Sequence, residues 1–335
     1  MTLRPAQNRP ASAGSARRRR AVLIAVCAGA VLAATALPAT ALPARGDQGA
    51  PGHGRGHERG HEQGYERGHG RAAEAALAAA PPVGHYAALG DSFSSGLGIP
   101  TQTDAACGRS DHNYPTLVAA AVGAAGSTDV TCAGAETRHV TGAQNTAAPQ
   151  IDAVRPDTSV VSVGVGGNDL DLAGVITRCV LLAYLDPQGS PCKNSFTLFG
   201  TDEIGSRINA TAPKVAGALQ AVRAKSAQAK VLVVGYPTIV PDDGSACRET
   251  IPLAAGDFAW LRDKTRQLNT MLAQQAAAHG ATFIDTYGPS VGHDACKPAG
   301  VRWLEPADTE AGAGFHPNAA GHRSTAATIV AALSG

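Results

Sequence analysis

The sequence predicts an α/β domain with a mostly parallel sheet, and three observations support this. From residue 85 onward, short apolar runs alternate with longer stretches of helical period. Glycine-rich turns follow two of the runs directly, at Gly90 and Gly164, where such a sheet exposes its working edge. Between about Phe258 and His279, Phe258, Leu261, Thr265, Leu268 and Leu272 recur at three- and four-residue steps, and Gly280 follows as a stop.

In chain order, the first element is a targeting segment. Arg17, Arg18, Arg19 and Arg20 precede an apolar run from Ala21 to Leu37 and the small-residue site Ala39-Thr40-Ala41, so residues 1–41 are expected to be a removable export leader. A permanent span needs about 20 apolar residues, and no stable membrane anchor is expected from this shorter run. Cys27 inside it reads as a small hydrophobe. Residues 42–82 are rich in Gly, His, Arg, Glu, Ala and Pro and predict a linker without a core. A tetrapeptide repeat starts at Gly52. Its His53, His57, His61 and His69 are imidazoles that Zn, Cu or Ni would recruit, so a solvated spacer and a metal-capturing segment both stand as readings.

One domain is expected over residues 83–335. Strands are predicted at His85 to Gly90, Ser159 to Gly164, Lys230 to Gly235 and Ala281 to Asp285, with a short one over Thr128 to Cys132. Further helices are predicted over Tyr114 to Val122, over Ile204 to Ala224 and after Pro317. Six cysteines follow Cys27, an even number in a chain expected to leave the reducing cytosol. Of the fifteen pairings open to them, neighbours in sequence are preferred: Cys107–Cys132, Cys179–Cys192 and Cys247–Cys296. Each would then staple one loop beside the element it follows. A zinc site is disfavoured, because no two lie two to four residues apart. The formal net charge is +1, with no long basic run interleaved with aromatics beyond the leader, which argues against a nucleic-acid partner.

Three segments carry chemistry. Gly90-Asp91-Ser92-Phe93-Ser94 places a serine straight after a strand, with Gly90 permitting a sharp turn. Gly164-Val165-Gly166-Gly167-Asn168-Asp169 offers close backbone approach and an amide that can donate to a developing oxyanion. In Phe315-His316-Pro317-Asn318, Pro317 can open the final helix and fix the loop that holds His316. A turn serine, an Asx turn and a lone histidine are each unremarkable alone. Together they supply a nucleophile, an oxyanion donor and a base, the set that acyl transfer requires.

Gly90-Asp91-Ser92, Gly134, Gly166-Gly167-Asn168-Asp169 and His316-Pro317 resemble the four sequence blocks of the SGNH, or GDSL, hydrolase family across most of residues 86–325. The run Tyr86 to Gly96, the export signal and the six cysteines are most similar to that family's secreted actinobacterial lipases and esterases. The resemblance implies a three-layer α/β/α sandwich with a central parallel sheet. It also implies that Ser92 attacks an ester carbonyl, that His316 takes its proton, and that Ser92 N–H, Gly134 N–H and the Asn168 side chain form the oxyanion hole. The Gly-x-Ser-x-Gly elbow of α/β-hydrolases is absent, since Ser94 stands where its second glycine would be.

The expectation is therefore a secreted, extracellular carboxylic ester hydrolase, monomeric, needing no metal and no organic cofactor, and acting on a small-molecule or lipid ester. A carbohydrate acetyl esterase or a phospholipase would use the same site. A secreted, non-catalytic, metal-binding module built around the His repeat is the rival class.

One departure from the family pattern matters. The acid usually three residues before the histidine is replaced by Ala313. A main-chain oxygen near Ala313 or Gly314 is expected to orient His316 instead, with Asp308 and Glu310 as fallback acids. Without a charged partner, His316 is expected to titrate near 6.5. Asp91 reads as a loop anchor. His85, His112, His139, His279, His293 and His322 read as surface or structural, and Trp260 and Trp303 as packing or cleft-wall residues. The segment from Ile176 to Thr201, with Cys179 and Cys192, reads as a wall or lid over the cleft, a rigid wall being favoured by the disulfide.

Overall fold

The computed structural model describes residues 83–309 and 311–335. The segments read as a leader (1–41) and a linker with a histidine repeat (42–82), Cys27 and Glu310 lie outside the described residues. Five strands form one parallel sheet: β1 (His85–Gly90), β4 (Gly126–Asp129), β5 (Thr158–Gly164), β6 (Lys230–Val234) and β7 (Thr282–Ile284), in the spatial order β4-β1-β5-β6-β7. In register, Ala87 stands beside Val161, and Val161 beside Val231. The β1 strand has β4 on one side and β5 on the other, so the direction of chain winding switches at β1. Loops leaving the carboxyl ends of β1 and β5 therefore splay apart and leave a crevice.

Strand alternation builds the three layers. Ala87, Leu89, Val161, Val163, Val231 and Val233 face a core shared with α6 (Glu203–Lys225) and α7 (Asp257–Ala278) through residues such as Ile208, Leu219, Leu268 and Leu272. Their neighbours Tyr86, Ala88, Val160, Leu232 and Val234 face the other way, onto α2 (Tyr114–Ala121) and α9 (Ala319–Ser334) through Val118, Ile329 and Val330. Both faces of the sheet are covered, which is why its strands read as continuous apolar runs.

Several boundaries differ from the sequence reading. The short strand lies at Gly126–Asp129 rather than Thr128 to Cys132. It stops there because the Asp129 carboxylate accepts from the Thr131 backbone N–H at 3.0 Å and hydroxyl at 2.7 Å, turning the chain. A two-stranded antiparallel piece, β2 (Gln102–Asp104) and β3 (Arg109–Ser110), was not anticipated. The segment read as a wall or lid is helical: α4 (Leu172–Ala183) starts at Asp171, whose side chain accepts from Gly174 N–H, and α5 (Pro191–Phe196) follows. Cys179 and Cys192 tie the two helices together. Cys107–Cys132 and Cys247–Cys296 are the other disulfides. Among the described residues, no helix is long and apolar enough to cross a membrane.

Candidate active site

Ser92 opens α1 (Ser92–Ser95), with only Asp91 between it and the end of β1. Gly90 fits here by close packing rather than by turning: a Cβ would stand 2.3 Å from Ser94 Oγ and 3.1 Å from the Gly164 carbonyl. Its backbone is clamped by Gln150, which accepts from Gly90 N–H and donates to Gly90 O, both at 2.9 Å.

His316 reaches Ser92 from the loop before α9. Its Nε2 lies 2.8 Å from Ser92 Oγ, and its Nδ1 lies 2.8 Å from the Gly314 carbonyl. That carbonyl can only accept, so Nδ1 carries the hydrogen and Nε2 presents its lone pair to the serine hydroxyl. Asp308 is exposed, with no bond to the imidazole. Burial pushes the His316 pKa below 6.5 and the Gly314 bond opposes this only in part, which corrects the expectation of an unshifted value.

The His316 loop needs a firm hold, because Phe315 sits in the left-handed region at φ +62°. Glu305 supplies it. Phe315 N–H donates to Glu305 O and Glu305 N–H to His316 O, each at 2.9 Å. The Glu305 carboxylate accepts from Asn318 at 2.8 Å and pairs with Arg302 at 2.9 Å, and Asn318 in turn caps α9. Burial works to raise the Glu305 pKa, but the bonds from Thr309, Asn318 and Arg302 hold it below the ordinary range.

Gly134 and Asn168 sit on adjoining loops, where Cys132 N–H donates to Gly90 O at 3.0 Å and Asn168 reaches Ala135. Gly134 adopts φ +77°, which favours glycine, and the disulfide at Cys132 tethers its loop. The backbone N–H groups of Ser92 and Gly134 have no acceptor among the described residues. Asn168 Nδ2 donates one hydrogen to Ala135 O at 3.0 Å, leaving its second hydrogen free. Asp169 fixes this loop by accepting from Thr137 N–H at 2.8 Å and from its hydroxyl at 2.7 Å.

Asp91 anchors the nucleophile loop. Its carboxylate accepts from Phe93 N–H at 2.9 Å and from the Tyr236 hydroxyl at 2.6 Å. Burial nevertheless raises its pKa to about 7, outweighing both bonds. His322 is buried, accepts from Tyr114 N–H at 3.0 Å and is pushed down to about 3, chiefly by burial. His85 and His139 are also buried, His112 is exposed, and Trp303 stacks on His293. Trp260 lines an apolar pocket with Leu172, Val175, Ile239 and Leu268, beside Phe93 and Tyr236.

Sequence reasoning missed Gln150, Thr137, Tyr236 and Glu305. Tyr236 carried a usable signal, since it stands just past the end of β6, on the same sheet edge as Ser92 and Asn168.

Residues 88–324 match the model of the GDSL-like lipase/acylhydrolase family. The chain is 41% identical to Lipase 2 of Streptomyces coelicolor over 259 residues, covering 75% of this chain and 86% of that one. It is 34% identical to Lipase 1 of the same organism over 240 residues, covering 70% and 81%. Among solved structures, phospholipase A1 from Streptomyces albidoflavus superposes with a TM-score of 0.60 at 29% identity, covering 76% of this chain and all of that one. The extracellular lipase of Streptomyces rimosus gives 0.57 at 27% identity, covering 75% and 99%. A serine and a histidine in contact on the crevice of a doubly covered parallel sheet agree with these matches, and the chain belongs to the GDSL-like lipase/acylhydrolase family.

Proposed function

We propose that the protein hydrolyses carboxylic esters with Ser92 as nucleophile and His316 as base. The observation that carries this reading is the 2.8 Å contact between His316 Nε2 and Ser92 Oγ, with the tautomer set by Gly314. As Ser92 Oγ bonds to the ester carbon, its proton passes to Nε2, and the carbonyl oxygen becomes an anion. Ser92 N–H, Gly134 N–H and Asn168 Nδ2 are the donors for that anion. The tetrahedral intermediate collapses to an acyl-Ser92 ester as His316 returns the proton to the departing alkoxide. Water then repeats the sequence, and His316 deprotonates it. Among the described residues no carboxylate bonds the imidazole: the Gly314 carbonyl orients it without neutralising the imidazolium charge.

The apolar pocket beside Phe93 favours an aliphatic acyl chain, and similarity to a phospholipase A1 supports lipid esters among the substrates. Three disulfides fit an oxidising compartment, and with the leader read over residues 1–41 they support secretion. The linker over 42–82 and the catalytic domain over 83–335 complete the proposed organisation.

The experiment is hydrolysis of p-nitrophenyl esters from acetate to palmitate by the oxidised protein lacking residues 1–82, beside the full mature chain and with a chelator present. Equal, chelator-resistant rates support the enzyme reading, and the chain-length profile assigns esterase or lipase preference. No turnover by the folded protein on any of these esters would point to carbohydrate or phospholipid esters and, failing those, to the non-catalytic metal-binding module.

A further inference from the structure

Tyr236 contributes no atom to the scheme above, yet its hydroxyl joins two of that scheme's parts. Gly167 N–H donates to the phenol oxygen at 2.8 Å, and the phenol donates its own hydrogen to Asp91 at 2.6 Å. Gly167 immediately precedes Asn168, and Asp91 immediately precedes Ser92. We propose that Tyr236 is a positioning residue, holding the Ser92 loop and the Asn168 loop in one register through a single shared hydroxyl. This rests on the ester-hydrolase reading.

The surrounding geometry fits that role more closely than it fits a core tyrosine placed for its bulk. The ring fills the space of the missing Gly167 side chain, where a Cβ would stand 3.0 Å from it. It packs edge-on against Phe93 with centroids 5.2 Å apart, and Phe93 in turn lies 4.8 Å from the His316 ring. Asn269 of α7 clamps the tyrosine backbone from both sides, accepting from Tyr236 N–H at 2.8 Å and donating to Tyr236 O at 2.7 Å. The oxyanion donor, the nucleophile and the base are therefore all referred to one side chain that a long helix holds in place. Misplacing any of them would lower turnover more than binding, because donors and base must meet charge that develops only during reaction.

Both Asp91 oxygens act as acceptors, one toward Phe93 and one toward Tyr236, so protonating the carboxylate replaces an acceptor with a donor and loosens the link. The groups facing Asp91 are Tyr236, after β6, and the Asp169 carboxylate, after β5; Phe93, Pro317 and Thr325 nearby carry no charge. Activity should therefore rise with Asp91 ionisation, around pH 7.

The test measures kcat, KM and the pH profile on p-nitrophenyl butyrate for the wild type, Ser92→Ala, Tyr236→Phe and Asp91→Asn, with melting curves beside them. Turnover by the wild type but not by Ser92→Ala secures the underlying reading, and its absence overturns both proposals together. Tyr236→Phe is expected to lose about tenfold or more in kcat with KM within about twofold. Its acid limb should fall below 6.5, toward that of His316 alone, because the link that Asp91 protonation loosens is gone. In Asp91→Asn the limb should likewise fall below 6.5, where His316 alone remains, with a reduced plateau. If Tyr236→Phe fails to fold, Asp91→Asn carries the test through its downward shift. A folded Tyr236→Phe with kcat within twofold of wild type and an unmoved limb, or an Asp91→Asn limb that stays at the wild-type pH, would reduce Tyr236 to a packing residue.

Discussion

Replacing Asn168 with alanine removes one of three proposed oxyanion donors while leaving Ser92 and His316 in contact. Two bonds are lost. One is the Asn168 Nδ2 bond to Ala135 O at 3.0 Å, which exists in the resting protein, and the other is the bond to the anion, which exists only during reaction. The first is a neutral, part-buried hydrogen bond, and its loss costs stability by about 0.5–1.5 kcal/mol. The second is worth about 3–4 kcal/mol of barrier, so kcat should fall by about 10²–10³-fold while KM changes little. Steady-state kinetics on p-nitrophenyl butyrate beside a thermal melt separate the two effects. A kcat within about threefold of wild type in a folded variant would remove Asn168 from the reacting centre.

The remaining predictions concern the histidines and the staple. His322 has a folded pKa of about 3 against an unfolded value near 6.5, so its stabilising contribution is full above pH 6.5 and is lost as pH falls toward 3. Asp91, raised to about 7, pulls oppositely over much of that range, so the test is a difference. Relative to wild type, His322→Gln should gain about 1.4 kcal/mol per pH unit below 6.5 in urea melts, and a pH-independent difference would refute this. Asp308→Asn combined with Glu310→Gln should leave kcat within twofold, since the Gly314 carbonyl already holds Nδ1, and a collapse of activity in the folded double variant would restore a catalytic acid. Cys179→Ser with Cys192→Ser should cost about 3 kcal/mol, as expected for a bridge closing a loop of 13 residues' separation, and an unchanged melt would refute that.

What the sequence made legible was chemistry placed at strand ends. Ser92 and Asn168 could be read because each sits in a short, glycine-marked turn, and His316 because a proline follows it, whereas Gly134 came only from the family resemblance. The supporting residues were hidden for a different reason. Gln150 meets Gly90 across 60 positions and Tyr236 meets Asp91 across 145, and neither pairing leaves a periodic trace. Glu305 organises the His316 loop through backbone bonds whose partners are indifferent to side-chain identity. The helices α4 and α5 escaped notice because α4 starts from Asp171 in a left-handed conformation at φ +55°, and α5 spans only six residues. The His316 pKa was misjudged because burial, which sequence does not display, outweighs the orienting carbonyl.

Reaction of the oxidised protein with a fluorophosphonate ester, followed by peptide mass spectrometry, tests the central claim most directly. The serine mechanism predicts one adduct per chain, on Ser92, with loss of ester hydrolysis in proportion to labelling and little labelling in His316→Ala. Full labelling elsewhere, or hydrolysis that survives complete modification of Ser92, would contradict it.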